Sequence, residues 1–226
     1  HFDMIPYDWR FTPDTLLQEG ILFSNGTSTF TRYVVDSIQQ SAKDSKTGKV
    51  TLITHSNGGL VVKYLLAYAK KNNIYLPVDK VIYVGMPEHG TPQAITSLLF
   101  GHEQSVAGGL ILKSSVARDL GKNMPTAYTL LPQKEYFNHT SSVLVGNQTI
   151  NTTDELKQTL TRGSSIFNQD LFEKAKSIHA YTQSESISNI QQFQIVGVGV
   201  PTVKGFVQQG KRAFPLYDNF GDGVVE

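Results

Sequence analysis

One stretch of this sequence limits the possible folds more than any other. A short β-branched run, Lys49–Thr54, is followed by a polar turn, His55–Gly59, and then by an apolar helical pattern over Leu60–Tyr68. A second apolar run, Val78–Gly85, follows a proline. Two buried strands joined by a helix at this spacing are typical of a parallel crossover. The sequence therefore predicts a fold of the α/β class.

The rest of the chain suggests a core interrupted by an insertion. Apolar residues at helical spacing predict a helix over Thr29–Ala42, and Phe193–Val200 is the next clear strand after Gly85. Between them, residues 95–190 carry amphipathic pieces too extensive for a structureless loop, so we expect a helical cap. We predict three parts: a core with the polar turn (1–94), a cap insertion (95–190), and a core segment with a late strand and a turn-rich tail (191–226).

Composition excludes several classes of protein. The 226 residues carry 20 Lys+Arg against 19 Asp+Glu, a net charge of +1, and the basic residues are scattered. We therefore expect no nucleic-acid partner. The absence of cysteine removes disulfides, thiolate nucleophiles and cysteine-ligated zinc. No apolar run reaches the roughly 18–20 residues needed to span a bilayer.

The turn between the first strand and helix carries the best candidate for a nucleophile. Ser56 lies in Thr54–Gly59 (THSNGG), where a strained strand-to-helix turn can expose its hydroxyl above the sheet edge. The amide of Asn57, directly after the serine, would then donate to an oxyanion. Thr54 replaces the first glycine of the usual G-x-S-x-G pattern, which fits if strand and helix lie slightly further apart. The alternative is a turn that merely links strand to helix.

A serine nucleophile needs a base oriented by an acid. Asp222, flanked by Gly221 and Gly223 after the late strand, is the candidate acid; Asp218 is the nearby alternative, and a turn aspartate that only satisfies its own backbone is the third possibility. In the expected order the base follows the acid, but no histidine follows Asp222 in these residues. The histidines present are His1, His55, His89, His102, His139 and His179. We expect none of them to be the base.

These motifs together resemble the lecithin:cholesterol acyltransferase-like branch of the α/β-hydrolases, which includes lysosomal-type phospholipase A. Besides the serine turn, the blocks that carry the resemblance are Pro6–Arg10 (PYDWR), Gly85–Pro92 (GMPEHGTP), Met124–Pro132 (MPTAYTLLP) with Tyr136-Phe137, Gly197–Thr202 (GVGVPT) and Gly221–Val225 (GDGVV). They are spread over nearly the whole chain. Val224 departs from the family pattern, which usually has threonine there.

The resemblance implies the α/β-hydrolase fold and acyl transfer through an acyl-enzyme at Ser56, with Asp222 as the acid. It also implies that the catalytic histidine, a second oxyanion donor, the first strands and the last strand and helix lie outside residues 1–226, so the isolated piece is expected to be inactive. No metal or cofactor is expected. The expected partner is a lipid or ester substrate, with transient contact with a lipid surface. The family tendency favours an extracellular or cell-surface location.

Two other functions compete with a lipid-ester acyl transferase or hydrolase. A catalytically dead hydrolase-fold module used for adhesion or protein binding would keep the serine turn without the histidine. A carboxylesterase or peptidase for water-soluble substrates would share the nucleophile and differ in the cap. The apolar pieces Ile95–Phe100 and Gly109–Leu112 could line an acyl pocket or simply pack on the sheet.

Overall fold

A computed structural model describes residues 2–19, 21–22, 26, 28–100, 119–139, 142–163, 167–184, 187, 189–209 and 212–225. A short π-helical turn, Thr15–Glu19, comes first. The helices that follow are α1 (Phe30–Asp44), α2 (Asn57–Lys71), α3 (Pro92–Phe100), α4 (Pro125–Thr129), α5 (Lys134–His139), α6 (Thr153–Gly163) and α7 (Gln169–Ser184). The strands are β1 (Val50–His55), β2 (Val78–Val84), β3 (Val143–Val145), β4 (Gln148–Ile150), β5 (Gln191–Ile195), β6 (Val200–Gln209) and β7 (Arg212–Gly221).

The chain divides into two compact units. The first comprises His1–Met86 and Ile178–Ile195, and the second comprises Pro87–Ser177 and Val196–Glu226. The sequence analysis divides the chain differently, into core and cap segments with boundaries after residues 94 and 190. That division stays a prediction.

The first unit contains a parallel sheet in the order β1-β2-β5. Thr54 lies opposite Tyr83 in the β1–β2 pair, and Ile82 lies opposite Phe193 in the β2–β5 pair. The predicted strand–helix–strand arrangement over residues 49–85 is therefore present, with parallel strands, and the α/β class is confirmed.

Helix α1 forms where its sequence predicts a helix. The Thr29 hydroxyl accepts a hydrogen bond from the Arg32 amide at 3.3 Å and caps the first turn. Apolar residues spaced by four then form one buried stripe: Phe30, Val34, Ile38 and Ala42. This stripe anchors α1 in the first unit.

The second unit contains a mixed sheet in the order β4-β3-β6-β7. Its largest feature is the antiparallel pair of β6 and β7, each ten residues long. The unit has its own apolar core, which α3, α4, α5, α6 and α7 supply together with β3, β4 and β6. Its most buried large side chains include Ile95, Tyr128, Leu131, Leu156, Leu160, Phe172 and Phe206.

The late part of the chain departs from the prediction. The expected strand Phe193–Val200 is wrong in its limits, because β5 ends at Ile195 and β6 begins at Val200. Two glycines interrupt the apolar run, and Gly199 has a φ of +86° that an extended strand does not permit. Strand β6 then runs through Pro201 without a break.

The tail is also more regular than its turn-rich sequence suggests. Residues Asp218–Gly221, expected to be turns, belong to β7, and Gly197 lies in the break before β6. In the cap region, the amphipathic piece Asp154–Leu160 is helical within α6. Gly109–Leu112 lies outside the described residues.

We predict that the core of the second unit is sensitive to truncation at Leu160. This side chain is 1% exposed, so Leu160→Ala leaves a cavity and should lower the free energy of unfolding by about 2–5 kcal/mol. The matched change Leu120→Ala, at a side chain 57% exposed in the same unit, should cost less than about 1 kcal/mol. Urea unfolding of both variants measures the difference. Equal losses would contradict the core assignment.

Candidate active site

Ser56 lies in a sharp junction between β1 and α2. Its backbone has φ 51° and ψ −129°, a conformation that residues with a side chain rarely adopt. Among the described residues other than glycine, only Ser56 and Asn73 have a positive φ. Such a backbone costs on the order of 1–3 kcal/mol and persists only where its surroundings enforce it.

Hydrogen bonds on both sides enforce this junction. The Ser56 amide donates to the carbonyl of Val84 in the neighbouring strand β2 at 2.9 Å. The Ser56 carbonyl accepts from the Gly59 amide at 2.9 Å, which begins α2 directly after the serine. The serine is therefore fixed between the end of a parallel strand and the first turn of a helix.

Gly59 permits the close packing that this turn requires. A Cβ atom at this position would collide with the side chain of Met86, the residue that follows β2. Two residues before the serine, Thr54 is buried, and its Oγ1 has no hydrogen-bond partner in the described part of the chain. The threonine in place of the usual glycine is thus accommodated with an unsatisfied hydroxyl.

The backbone N–H of Asn57 is at the first position of α2, so it has no acceptor within the helix. The Asn57 side-chain amide donates to the Tyr7 hydroxyl at 3.3 Å. Burial raises the pKa of Tyr7, while this hydrogen bond acts in the opposite direction, and the phenol stays neutral at pH 7. The sequence motifs do not predict this contact, although Tyr7 lies within the block Pro6–Arg10.

Asp222 lies in a tight loop after β7. Its Oδ1 accepts hydrogen bonds from the amides of Val224 at 2.9 Å and Val225 at 2.8 Å, and its own amide donates to the Val225 carbonyl at 3.1 Å. Within the part of the chain that the structure describes, Oδ2 has no donor. Gly223, with φ +103°, provides the left-handed turn that closes this loop. One carboxylate oxygen is therefore held by the backbone, while the other makes no such bond within the described residues.

Asp218, the alternative acid, has other contacts. It lies within β7 opposite Thr202, its Oδ1 accepts from the Phe220 amide at 3.1 Å, and its Oδ2 is 3.9 Å from Lys204 Nζ. These contacts favour Asp222 as the candidate acid. Ser56 and Asn57 belong to the first unit and Asp222 belongs to the second.

The histidines in the described residues lie at several different places in the structure. His55 is exposed at the end of β1, and His179 is buried within α7. The rings of His89 and His139 are 5.9 Å apart in the second unit, and the His89 carbonyl accepts from the Gln133 amide at 2.9 Å. His1 and His102 lie outside the described residues.

Within the described ranges, His, Cys, Asp and Glu form no group of three or more that could hold a metal ion. In the same ranges, no helix has both the length and the apolar character needed to cross a membrane.

A serine with positive φ, between a parallel strand and a helix that begins on the next residue, has the backbone arrangement of the strand-to-helix turn in α/β-hydrolases. The family model for lecithin:cholesterol acyltransferase matches residues 3–209. The chain therefore belongs to this family, which confirms the resemblance seen in the sequence.

The sequence has no significant match among curated proteins. Among solved structures, the chain is similar to one described as the crystal structure of the Tle4–Tli4 complex, with 16% identity and a TM-score of 0.46. The similarity covers 73% of this chain and 40% of that one, so the present chain spans less than half the length of this neighbour.

We predict that Gly59→Ala destabilises the first unit. The new methyl group would force Met86 to move, and overpacking of this kind costs about 1–3 kcal/mol. The matched change is Gly58→Ala in the same helical turn, where the nearest atom would be the Tyr7 hydroxyl at an ordinary 3.7 Å. Thermal melting should show a clear loss for Gly59→Ala only. Equal melting temperatures would argue against the close approach.

We also predict that the backbone strain at Ser56 is measurable. Ser56→Ala and Ser56→Gly both remove the hydroxyl, but only glycine adopts the observed φ and ψ without strain. The glycine variant should therefore be about 1 kcal/mol more stable than the alanine variant in urea unfolding. An alanine variant of equal or greater stability would show that this backbone is not strained.

Proposed function

We propose that this chain carries the nucleophile and the acid of a serine-dependent acyl hydrolase or acyltransferase that acts on lipid esters. The observation that carries the proposal is the strained backbone of Ser56 between β1 and α2. In α/β-hydrolases, a serine with this strained backbone exposes its hydroxyl as a nucleophile at the sheet edge. The match to an acyltransferase family supports the same role for Ser56.

In the proposed reaction, Ser56 Oγ attacks the carbonyl carbon of an ester and loses its proton to a histidine. The negative charge that develops on the carbonyl oxygen is stabilised by the Asn57 amide and by a second donor. The tetrahedral intermediate then expels the alcohol, which takes the proton from the imidazolium, and an acyl-serine remains. Water or another alcohol attacks this ester in the same way and releases Ser56.

Asp222 supplies the negative charge that orients the histidine and stabilises its protonated form. Its Oδ2 is suited to accept the imidazole N–H, while Oδ1 is held by two backbone amides. The family pattern places that histidine after Gly221–Val225, outside residues 1–226, and the second oxyanion donor before Pro6–Arg10. The proposal needs no metal ion or cofactor.

The lipid-ester substrate rests on family membership. Of the apolar piece Ile95–Phe100, Ile95 and Leu98 pack in the core of the second unit. Simple packing therefore accounts for these two side chains. In this proposal residues 95–190 act as the cap, and contact with a lipid surface is transient.

The first test is labelling of the full-length protein with a fluorophosphonate probe. We expect the probe to modify Ser56, as mapped by mass spectrometry of the labelled peptide, because an activated serine attacks its phosphorus atom. Ser56→Ala should abolish labelling and ester turnover, whereas the matched change Ser177→Ala, at an exposed serine of α7, should leave both intact. Asp222→Asn should lower kcat by roughly 10²–10⁴-fold.

Two results would contradict the proposal. Full turnover by Ser56→Ala would exclude the acyl-enzyme mechanism. A well-folded protein that neither reacts with the probe nor hydrolyses short-chain or long-chain esters would instead support a binding module that retains the hydrolase fold. A preference for short, water-soluble esters would keep the serine mechanism and overturn the lipid substrate.

A further inference from the structure

The loop that carries Asp222 is short and closes mainly on itself. We call Gly221–Val225 the acid loop. Its internal hydrogen bonds join Asp222 to Val224 and Val225, as described above. These bonds shape the loop, and a bridge between Asp222 and Val200 of β6 places its start. Two buried threonines outside the loop hold the residues that follow the aspartate.

Thr202, in β6, holds the loop directly after the aspartate. The side chain is fully buried, and its hydroxyl accepts a hydrogen bond from the Gly223 amide at 2.8 Å while donating to the Val200 carbonyl at 2.9 Å. The hydroxyl therefore acts both as an acceptor and as a donor. Gly221 permits this approach, because a Cβ atom there would lie 2.6 Å from the threonine oxygen.

Thr91, in the segment between β2 and α3, holds the next residue of the loop. It is 4% exposed, and its hydroxyl donates to the Val224 carbonyl at 2.6 Å. The backbone of Thr91 is itself anchored, because its amide donates to the Leu130 carbonyl at 2.8 Å. The contact joins positions 133 residues apart in the sequence.

We propose that Thr91 and Thr202 are positioning residues that hold the acid loop, and through it the Asp222 carboxylate. Thr202 binds an amide and Thr91 binds a carbonyl, on the two residues that follow the aspartate. Loss of either hydroxyl would leave a backbone polar group without its partner and loosen the loop. The proposal rests on the proposed function, because the value of a fixed Asp222 depends on its role as the acid.

The first experiment measures the loop independently of activity. Hydrogen–deuterium exchange of the full-length protein, read in peptides that cover Gly223–Val225, compares wild type with Thr202→Val and Thr91→Val. We expect these amides to exchange about tenfold faster in each valine variant. The loop can then open without breaking the hydrogen bond to the threonine hydroxyl. Thr202→Ser and Thr91→Ser retain the hydroxyl and should restore the slow exchange.

Thr153→Val serves as the matched control for loss of a buried threonine hydroxyl in the same unit. Among the described residues, the Thr153 hydroxyl has no hydrogen-bond partner, and the bonds to Gly223 and Val224 come from Thr202 and Thr91 instead. We expect this variant to leave exchange in the acid loop unchanged. Faster exchange in all three valine variants would indicate general destabilisation and overturn the proposed specific role.

The second experiment measures ester turnover against pH in the same variants. A carboxylate beside the histidine raises the pKa of the imidazole, so a displaced Asp222 lets that pKa fall. The valine variants should therefore lower kcat by about tenfold or more with little change in KM, and the midpoint of the acid limb should move to lower pH. Loss of folded protein alone would lower the rate equally at every pH.

The outcomes separate the two proposals. If wild type is active, Ser56→Ala is inactive, and the valine variants match wild type in exchange and in pH profile, the positioning role is overturned and the proposed function stands. If the valine variants exchange faster but wild type neither reacts with the fluorophosphonate probe nor turns over esters, the proposed function fails. The threonines then have a structural role only.

Discussion

The tight packing between the start of α2 and the end of β2 is the constraint on which the candidate site depends. Ser56 keeps its unfavourable backbone because its amide is bonded to β2, its carbonyl is bonded to the first turn of α2, and Gly59 lets that turn press against Met86. Each contact is ordinary alone. Together they hold the serine in a backbone conformation that an isolated turn would not keep.

Much of the first unit was predictable because its signals are local. A β-branched run before the serine turn and an apolar helical pattern after it suffice to place β1 and α2, and the Thr29 cap marks the start of α1. The β6–β7 hairpin was not predictable in this way. Pro201, Gly205 and Pro215 all lie within its strands, and such residues normally argue against a strand. Here β7 is the edge of its sheet, where a proline is tolerated.

The candidate site shows the same division between local and distant information. Short motifs contain Ser56, Asn57 and Asp222, and the residue types in these motifs indicate the chemistry. The sequence therefore identifies these residues as candidates. Thr91 and Thr202 carry no such signal, since threonine is common in turns and strands. Their significance depends on contacts with a loop 133 and 21 residues away, which only the tertiary structure provides.

The two threonine contacts with the acid loop are made by uncharged groups. Each joins a buried hydroxyl to a backbone amide or carbonyl, and no ion pair takes part in either bond. At moderate ionic strength, dissolved ions screen the attraction between exposed charges that lie more than about 8–10 Å apart, but they have little effect on hydrogen bonds between uncharged groups. The place of the carboxylate within its unit is therefore insensitive to salt, and the loop would keep its geometry from dilute buffer to brine.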